Sequence, residues 1–427
     1  MGASMTDSQG QESNDPSSRR RLNVLSTDFF PAYVVWELTL ACDHACAHCG
    51  SRAAVSRDHE LSTKEALSLV DELADMGTRE VVLIGGEAYL HDGFYQIIRH
   101  LKTRGITPVM TTGAWGLDLA KAKLMAEAGM SRVSVSIDGL EQTHDRMRAK
   151  KGSFTQCLNA LEAIKAAGMT PHVNSNFNRF NQSDLESMYV LFEDIGVKAW
   201  QVQITSPLGR AADRPQMLFQ PYDLLDFLPR LARLKERGLQ KGLLIMPGNN
   251  LGYFGPEEAL LRSPKKSLTD HWAGCQAGRF VMGIESDGAV KGCPSLQTEA
   301  YVGGHYKADE SKSYLKKIWL DSTELQFTRS RTREDLWGYC ASCALADSCL
   351  GGCSFTAHGF FGRAGNNPMC HFRARQFQKK GLRERLVRVQ KAPGKSFDSA
   401  LFEIIVEEFD SVEPPTRPKT DLVSITG

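Results

Sequence analysis

The chain has 427 residues, 42% of them hydrophobic, with 51 Lys plus Arg against 50 Asp plus Glu. That length accommodates a large α/β domain followed by a smaller one, and a net charge of +1 makes no global field for a polyanion, so nucleic acid is not an expected partner. No run approaches the roughly 18 apolar residues of a membrane span and no apolar core of a signal peptide opens the chain; the expectation is a cytoplasmic protein with no membrane attachment.

In chain order, residues 1–28 are rich in Ser, Gln, Asp and Arg with little to bury, and read as a disordered tail. Residues 29–220 alternate short apolar runs with amphipathic stretches. Strands are expected at Tyr33–Leu40, Glu80–Ile84, Pro108–Thr111, Arg132–Ile137, Thr170–Asn176 and Ala199–Thr205. The helices between them run from a capping box at Ser62–Glu65 to Met76, then over Phe94–Arg104, Leu119–Ala128 with Gly129 as its stop, about Phe154–Ala167, and Leu185–Ile195. Six strands joined by helices predict a right-handed parallel sheet, either an open doubly wound sheet or an incomplete barrel, and periodicity does not choose between them. Residues 221–269 form a helical bridge, with Pro221–Arg237 helical. Residues 270–380 are rich in Gly and Cys and poor in periodic segments, so metal ligation is the expected source of their stability. Residues 381–427 begin with a basic stretch, continue into an apolar helix around Leu401–Phe409 and end in a Pro-rich tail.

The 11 cysteines do not fit a secreted disulfide scaffold, which wants a short chain, an oxidising compartment and an even count. Closely spaced thiols in a reducing compartment read instead as ligands for a soft metal centre. Cys42, Cys46 and Cys49 form a C-x3-C-x2-C run in the loop after the first strand. Three thiolates are one too few to saturate a 4Fe-4S cluster, which leaves one iron open to an exogenous ligand. The alternative is a zinc site completed by His44 or His48.

This loop resembles the signature of the radical S-adenosylmethionine superfamily, in which an aromatic residue usually precedes the last cysteine; His48 takes that place. The resemblance implies an α/β fold built as a partial six-unit TIM-like barrel. It also implies that Cys42, Cys46 and Cys49 are the catalytic cysteines, whose cluster cleaves S-adenosylmethionine to a 5′-deoxyadenosyl radical. Further segments carry the same likeness. Gly85-Gly86-Glu87 follows the second strand, with glycines for close backbone approach and a carboxylate for the methionyl ammonium, although Ala88 replaces the usual Pro. The SVSIDG segment implies Ser136 as a ribose contact with Asp138 nearby. His144-Asp145-Arg146-Met147-Arg148 and Gly152-Ser153-Phe154 resemble the family's HDxxR and GSF elements; Arg148 is implied to reach the cofactor carboxylate, the alternative for Arg146 and Arg148 being a solvated loop. Thr112-Gly113, Asn174 and Asn176 complete the cofactor-binding set. Gln201 and Gln203 either line the substrate cavity or are simply buried.

A second series, Cys275, Cys293, Cys340, Cys343, Cys349, Cys353 and Cys370, resembles the seven-cysteine SPASM extension, which holds two auxiliary iron-sulfur clusters. By that resemblance Cys340, Cys343, Cys349 and Cys370 ligate one cluster, and Cys275, Cys293 and Cys353 the other, with His271 a possible fourth metal ligand. The total is three 4Fe-4S clusters. Cys157, the one cysteine left over, is expected to be a buried apolar residue, badly placed to donate a hydrogen atom to a substrate radical. Peptide epimerisation therefore ranks below oxidative cross-linking. The function implied is maturation of a ribosomally made peptide through a thioether or carbon-carbon cross-link. The alternatives are a formylglycine-forming sulfatase maturase, an epimerase, and a non-catalytic iron-sulfur electron-transfer protein. Implied partners are a precursor peptide or client protein, an electron donor such as flavodoxin or ferredoxin, and a separate leader-binding protein, since no winged-helix leader-binding module is evident.

Overall fold

The computed structural model describes residues 28–263, 270–308 and 313–413. The tail expected over 1–28 lies outside these residues except for Asp28, as does the Pro-rich end from 414 onward.

Strands β1 (Tyr33–Glu37), β2 (Glu80–Ile84), β3 (Thr107–Thr112), β4 (Arg132–Ser136), β5 (Thr170–Phe177) and β6 (Ala199–Ile204) lie side by side in chain order, all parallel. Between them run α1 (Thr63–Asp75), α2 (Phe94–Thr103), α3 (Leu119–Ala128), the pair α4 (Glu141–Arg148) and α5 (Ser153–Ala166), and α6 (Leu185–Asp194). Parallel neighbours require a crossover, and each helix supplies one while covering the sheet with an apolar stripe. In α1 that stripe is Ala66, Leu69, Val70 and Leu73; in α2 it is Phe94, Ile97, Ile98 and Leu101. Helix boundaries follow local chemistry. Ser62 and Glu65 form the reciprocal capping box at the start of α1, and Gly129, at φ 103°, ends α3 in the left-handed region that a side chain disfavours.

Helix α7 (Leu224–Lys241) leads to β7 (Leu244–Pro247), which extends the sheet beyond β6, and to the short α8 (Glu258–Arg262). The cysteine-rich half then returns to the same sheet. Its β8 (Val281–Ile284) pairs in parallel with β1, and β9 (Ala289–Lys291), α9 (Thr298–Tyr301) and β10 (Val302–His305) follow, the two strands antiparallel. The ten-stranded order is β10-β9-β8-β1-β2-β3-β4-β5-β6-β7; β1 to β7 follow chain order with no reversal among them, as in an incomplete barrel rather than a doubly wound sheet, and only the later β8 to β10 return to the β1 edge. Helices α10 (Tyr314–Asp321), α11 (Ala346–Cys349), α12 (Ser354–Phe361) and α13 (His371–Gln378) complete the cysteine-rich region.

The helix expected around Leu401–Phe409 is a strand. β11 (Leu382–Gln390) and β12 (Leu401–Glu408) form a separate antiparallel ladder. Ile404, Ile405 and Val406 are β-branched and stiff at χ1, and β11 offers a partner whose Arg383 and Arg385 meet Glu407 across the ladder. A single helix has no such partner.

Candidate active site at the C-terminal ends of the strands

The loop carrying Cys42, Cys46 and Cys49 leaves β1 and packs on the turn that follows β2. Backbone bonds from Gly86 N to Thr39 O and from Glu87 N to Ala41 O, both 2.8 Å, join the two. A Cβ on Gly85 would stand 2.4 Å from Thr39 O, and one on Gly86 would stand 2.1 Å from Ala41 O, so only glycine permits this contact. Ala88, where the resemblance calls for Pro, is fully buried in the 3₁₀ turn Ala88–Leu90; the turn forms without the proline. The pairing places Glu87 beneath the cysteine loop. Its carboxylate, 2% exposed, accepts from Thr112 Oγ1 at 2.6 Å and from Gly113 N at 2.5 Å, and burial pushes its pKa up to about 8.

A second buried carboxylate, Asp138, follows β4. Its Oδ1 accepts from Asn176 N at 2.7 Å, while Oδ2 lies 2.6 Å from Arg148 Nη2 and 3.2 Å from His48 Nε2. Burial opposes ionisation, yet Arg148 and His48 hold the Asp138 carboxyl well below the usual range. The guanidinium also reaches the cysteine loop, with Nη1 3.7 Å from Cys46 Sγ. Arg148 is thus a half-buried helical residue at the centre of the site and not part of a solvated loop. His48 is an ion-pair partner of Asp138. Asn176 Oδ1 accepts from Thr205 Oγ1 at 2.7 Å, and Ser136 ends β4 at 9% exposure.

From the Asp138 backbone to the Asp43 carboxylate runs a directional chain of hydrogen bonds. Asp138 N–H donates to His144 Nδ1 at 3.1 Å, which places the ring proton on Nε2, facing Ser153 Oγ at 3.1 Å. The Ser153 hydroxyl then donates to His44 Nε2 at 3.1 Å, and His44 Nδ1–H donates to Asp43 Oδ1 at 2.7 Å. Burial keeps both rings neutral, pushing His144 down to about 3 and lowering His44. Asp145 supplies the N-terminal cap that α5 lacks, accepting from Gly152 N at 2.6 Å and Phe154 N at 2.8 Å. The HDxxR and GSF elements are therefore one device: His144, Asp145 and Ser153 brace the cysteine loop against the end of β4. Asp43 and Tyr89, whose hydroxyl donates to Asp43 Oδ2 at 2.8 Å, were not read from sequence; His44 was read only as an alternative zinc ligand and Ser153 only as part of the GSF element. Both His44 nitrogens are bonded and His48 Nε2 is paired to Asp138, while ligand atoms of Cys42, Asp43 and His44 lie within 4.8 Å of one another.

The donor set suits S-adenosylmethionine and a three-thiolate cluster. Arg148 Nε, His48 Nδ1 and Asn174 Oδ1 are buried without a hydrogen-bond partner, a costly arrangement unless a polar ligand meets them. Glu87 and Arg148 offer opposite charges suited to an amino acid's ammonium and carboxylate.

Cys157, on α5, is fully buried against this site, its Sγ 3.4 Å from Gly113 O, 3.7 Å from Ser136 O and 3.8 Å from His144 Nε2. The thiol lies behind the ends of β3 and β4. Gln201 and Gln203 are half-buried on the face of β6 opposite the core residue Val202.

The remaining cysteines fall into two groups. Burial pushes the Cys353 thiol up to about 12, with Cys275 and Cys293 as its charged neighbours. Burial raises Cys349 to about 12 as well, with Cys340 and Cys343 beside it, and it raises Cys370, whose neighbours are Cys349 and Cys340. Tyr253 and Trp272 pack with Cys353 in a small apolar cluster, and the Trp272 indole donates to Cys349 O at 3.2 Å. His271 is exposed, stacks on Phe254 at 5.9 Å and turns Nδ1 to Trp272 O at 2.8 Å.

Residues 36–189 match the Radical SAM superfamily. The chain is 26% identical to the AdoMet-dependent heme synthase of Nitratidesulfovibrio vulgaris, over 80% of this chain and 93% of that one. It is 28% identical to the mycofactocin maturase MftC of Mycolicibacterium smegmatis, over 76% of this chain and 78% of that one. The fold matches Streptococcus suis SuiB bound to its precursor peptide SuiA with a TM-score of 0.60 at 15% identity, covering 77% of this chain and 73% of that one.

Proposed function

Since the chain is a radical S-adenosylmethionine enzyme with a SPASM-type cysteine-rich region, we propose that it is a peptide maturase that oxidatively cross-links a ribosomally made precursor, forming a thioether or carbon-carbon bond. The observation that carries this reading is the convergence of Cys42, Cys46, Cys49, Glu87, Asp138 and Arg148 in one buried site, with a second three-cysteine group, Cys275, Cys293 and Cys353, in the same chain. When bound, the first cluster and S-adenosylmethionine supply the 5′-deoxyadenosyl radical that removes a hydrogen atom from the substrate. Glu87, oriented by Thr112 and backed by Gly85 and Gly86, holds the methionyl ammonium. Arg148 holds the carboxylate, and Ser136, Asn174 and Asn176 serve the ribose and base, with Asp138 and His48 fixing Arg148.

In this reading Cys275, Cys293 and Cys353 hold one auxiliary cluster and Cys340, Cys343, Cys349 and Cys370 the other. His271 is a fourth ligand to the first of these only after it turns off Phe254. Cys157, enclosed behind β3 and β4, presents no thiol to a substrate, which favours oxidation over epimerisation. The sulfatase-maturase alternative shares the same machinery. The enzyme works in the cytoplasm, reduced by a flavodoxin or ferredoxin, with a separate protein recruiting the precursor leader. MftC is named a maturase and SuiB has been seen bound to its precursor peptide SuiA, which supports a peptide substrate. A second reading, an iron-porphyrin substrate, draws on the similarity to the heme synthase.

The test is iron and sulfide analysis with electron paramagnetic resonance on anaerobically reconstituted protein, beside a Cys42→Ala, Cys46→Ala, Cys49→Ala variant. About twelve irons, about four fewer in the variant, and 5′-deoxyadenosine only from the wild type are expected. Clusters without cofactor cleavage would mean an electron-transfer protein. Incubation with the peptide encoded beside the gene, and separately with iron coproporphyrin III, then decides the substrate class.

A further inference from the structure

A half-buried tyrosine and a buried histidine stand beside the cysteines of the second site. Tyr301, the last residue of α9, sets its hydroxyl 3.1 Å from Nδ1 of His358 on α12, with ring centroids 5.0 Å apart. The other nitrogen of His358, Nε2, is 2.7 Å from Gln297 Oε1. An amide oxygen only accepts, so that contact fixes the ring proton on Nε2 and leaves Nδ1 to receive the phenol's proton. His358 is 7% exposed, and burial lowers its pKa, so the ring is neutral and has a lone pair to offer. Gln297 orients the imidazole, and the imidazole polarises the phenol, the geometry of a base held by a third group.

The placement gives this geometry a use. Gln297 and Tyr301 follow Cys293 on one short segment, and Cys353 is the N-cap residue of the helix that carries His358. Cys275 lies near enough that its charge acts on Tyr301, adding to burial in raising the phenol and working against Arg331. Phe327 meets Tyr301 edge-on at 5.0 Å, Arg331 donates to Ser354 Oγ at 2.7 Å, and Glu299 on α9 is drawn to Lys395 Nζ at 3.1 Å. Among the described residues, Arg331 and Cys275 are the charged or titratable groups that act on Tyr301, and none acts on His358 beyond its burial.

We propose that Tyr301 and His358 accept the proton that a substrate gives up when it is oxidised at the Cys275, Cys293, Cys353 site. The proposal rests on the oxidative reading above. Forming a C–S or C–C bond from R–H and X–H removes two hydrogens. One leaves as the atom taken by the 5′-deoxyadenosyl radical. The other leaves as an electron, passed to the auxiliary iron-sulfur cluster, and as a proton, passed from X–H to the Tyr301 oxygen while the Tyr301 proton moves to His358 Nδ1. His358 ends as an imidazolium still bonded to Gln297, and Tyr301 ends neutral.

A group that takes up a proton when the neighbouring cluster gains an electron makes that cluster's potential depend on pH, and a merely structural hydrogen bond does not. The experiment is a redox titration of the full-length reconstituted enzyme at several pH values, following the auxiliary resonance that is lost in Cys275→Ala. Wild type, Tyr301→Phe and His358→Gln are compared; the first substitution keeps the ring and the second keeps an acceptor, so both preserve the packing. The midpoint potential of the wild type should fall as pH rises through the histidine range and should ignore pH in His358→Gln, which has no ring to take the proton, while Tyr301→Phe, which keeps that ring, should retain the dependence but slow product formation; the resonance of the cluster at Cys42, Cys46 and Cys49 serves as the internal reference. Full iron content with a wild-type potential that ignores pH, or a pH dependence that survives in His358→Gln, overturns the proton-accepting pair alone. Uptake of only about four irons by the wild type overturns the auxiliary electron acceptor, and the pair with it.

Discussion

Glu87 is a buried carboxyl facing only two donors, Thr112 and Gly113, with no cation at hydrogen-bond distance, so its ionised form is disfavoured. Its folded pKa of about 8 stands above the ordinary 4.5. The folded protein therefore holds this proton where the unfolded chain has released it, and the contribution to stability is full below 4.5 and lost as pH rises through 8. Thermal unfolding of the apoprotein over that window should show stability falling with pH, and Glu87→Gln should flatten this part of the profile; an unchanged profile would show that Glu87 is already ionised. A bound ammonium reverses the preference, so S-adenosylmethionine should bind apoprotein more tightly as pH rises toward 8, measurable by calorimetry with its proton release. Ser153 governs a different property. Ser153→Ala removes the hydroxyl that joins His144 to His44 and leaves two buried imidazole nitrogens unpaired, which costs about 1–3 kcal/mol. A lower melting temperature, together with slower 5′-deoxyadenosine formation, is the expected result; wild-type values for both would remove the brace from the mechanism. The cysteine motifs were legible because ligand spacing is local. The brace was not, since Ser153 and His44 are 109 positions apart and nothing in either segment names the other.

The same contrast between local and distant information holds for the elements. β1 to β6 and their helices were readable because each carries its own apolar period and, at α1 and α3, its own cap. β8 is four residues long and β12 pairs with a strand that reads as merely basic, so neither declares itself without its partner. The hairpin has a consequence for the active site. Its connection, residues 391–400, folds back on the cysteine loop: Phe397 N donates to Gly50 O at 3.2 Å, the Ser396 hydroxyl to Ser51 O, and Gly209 N to Asp398 O at 2.8 Å. Arg52, at φ 53°, is held in this strained conformation by Asp398 on one side and Asp213 on the other. Asp398 is 4% exposed. Asp398→Asn leaves half of that clamp, so the loss should fall at or below the low end of the about 3–5 kcal/mol for breaking a buried pair, since Asp213 still faces the guanidinium. The observable is the rate at which a chelator strips iron from the Cys42, Cys46, Cys49 site, expected to rise several-fold. Iron release at the wild-type rate would make the hairpin an independent appendage.

At the scale of the whole molecule, the cysteine-rich half is joined to the barrel by backbone hydrogen bonds. β8 pairs with β1 over Tyr33 to Trp36, so removing residues from 270 onward would expose the edge of a central parallel strand. The barrel is then expected to lose solubility without its cysteine-rich half, and the intact chain should melt as one unit through the sheet. The region 338–370 stands apart from that unit. Its regular structure is limited to the 3₁₀ turn Gly338–Ser342, α11, with four residues, and α12, with eight, while Cys340, Cys343, Cys349, Cys353 and Cys370 all lie within it. Short helices of this kind do not hold themselves together in water. Five buried or half-buried thiols converge there without a disulfide among them, so their order has to come from packing or from bound iron. Hydrogen exchange on the anaerobically reconstituted and metal-free proteins distinguishes the two. If iron supplies the order, amides of 338–353 should exchange at least about tenfold faster without metal, because ligation free energy is folding free energy in such segments. Amides of α1 and α2, whose apolar stripes are buried against the sheet, should exchange at the same rate in both states. Equal protection of 338–353 in the two proteins would assign the order to the Tyr253–Trp272 cluster, and the cysteines would then be ligands placed on a fold that does not need them.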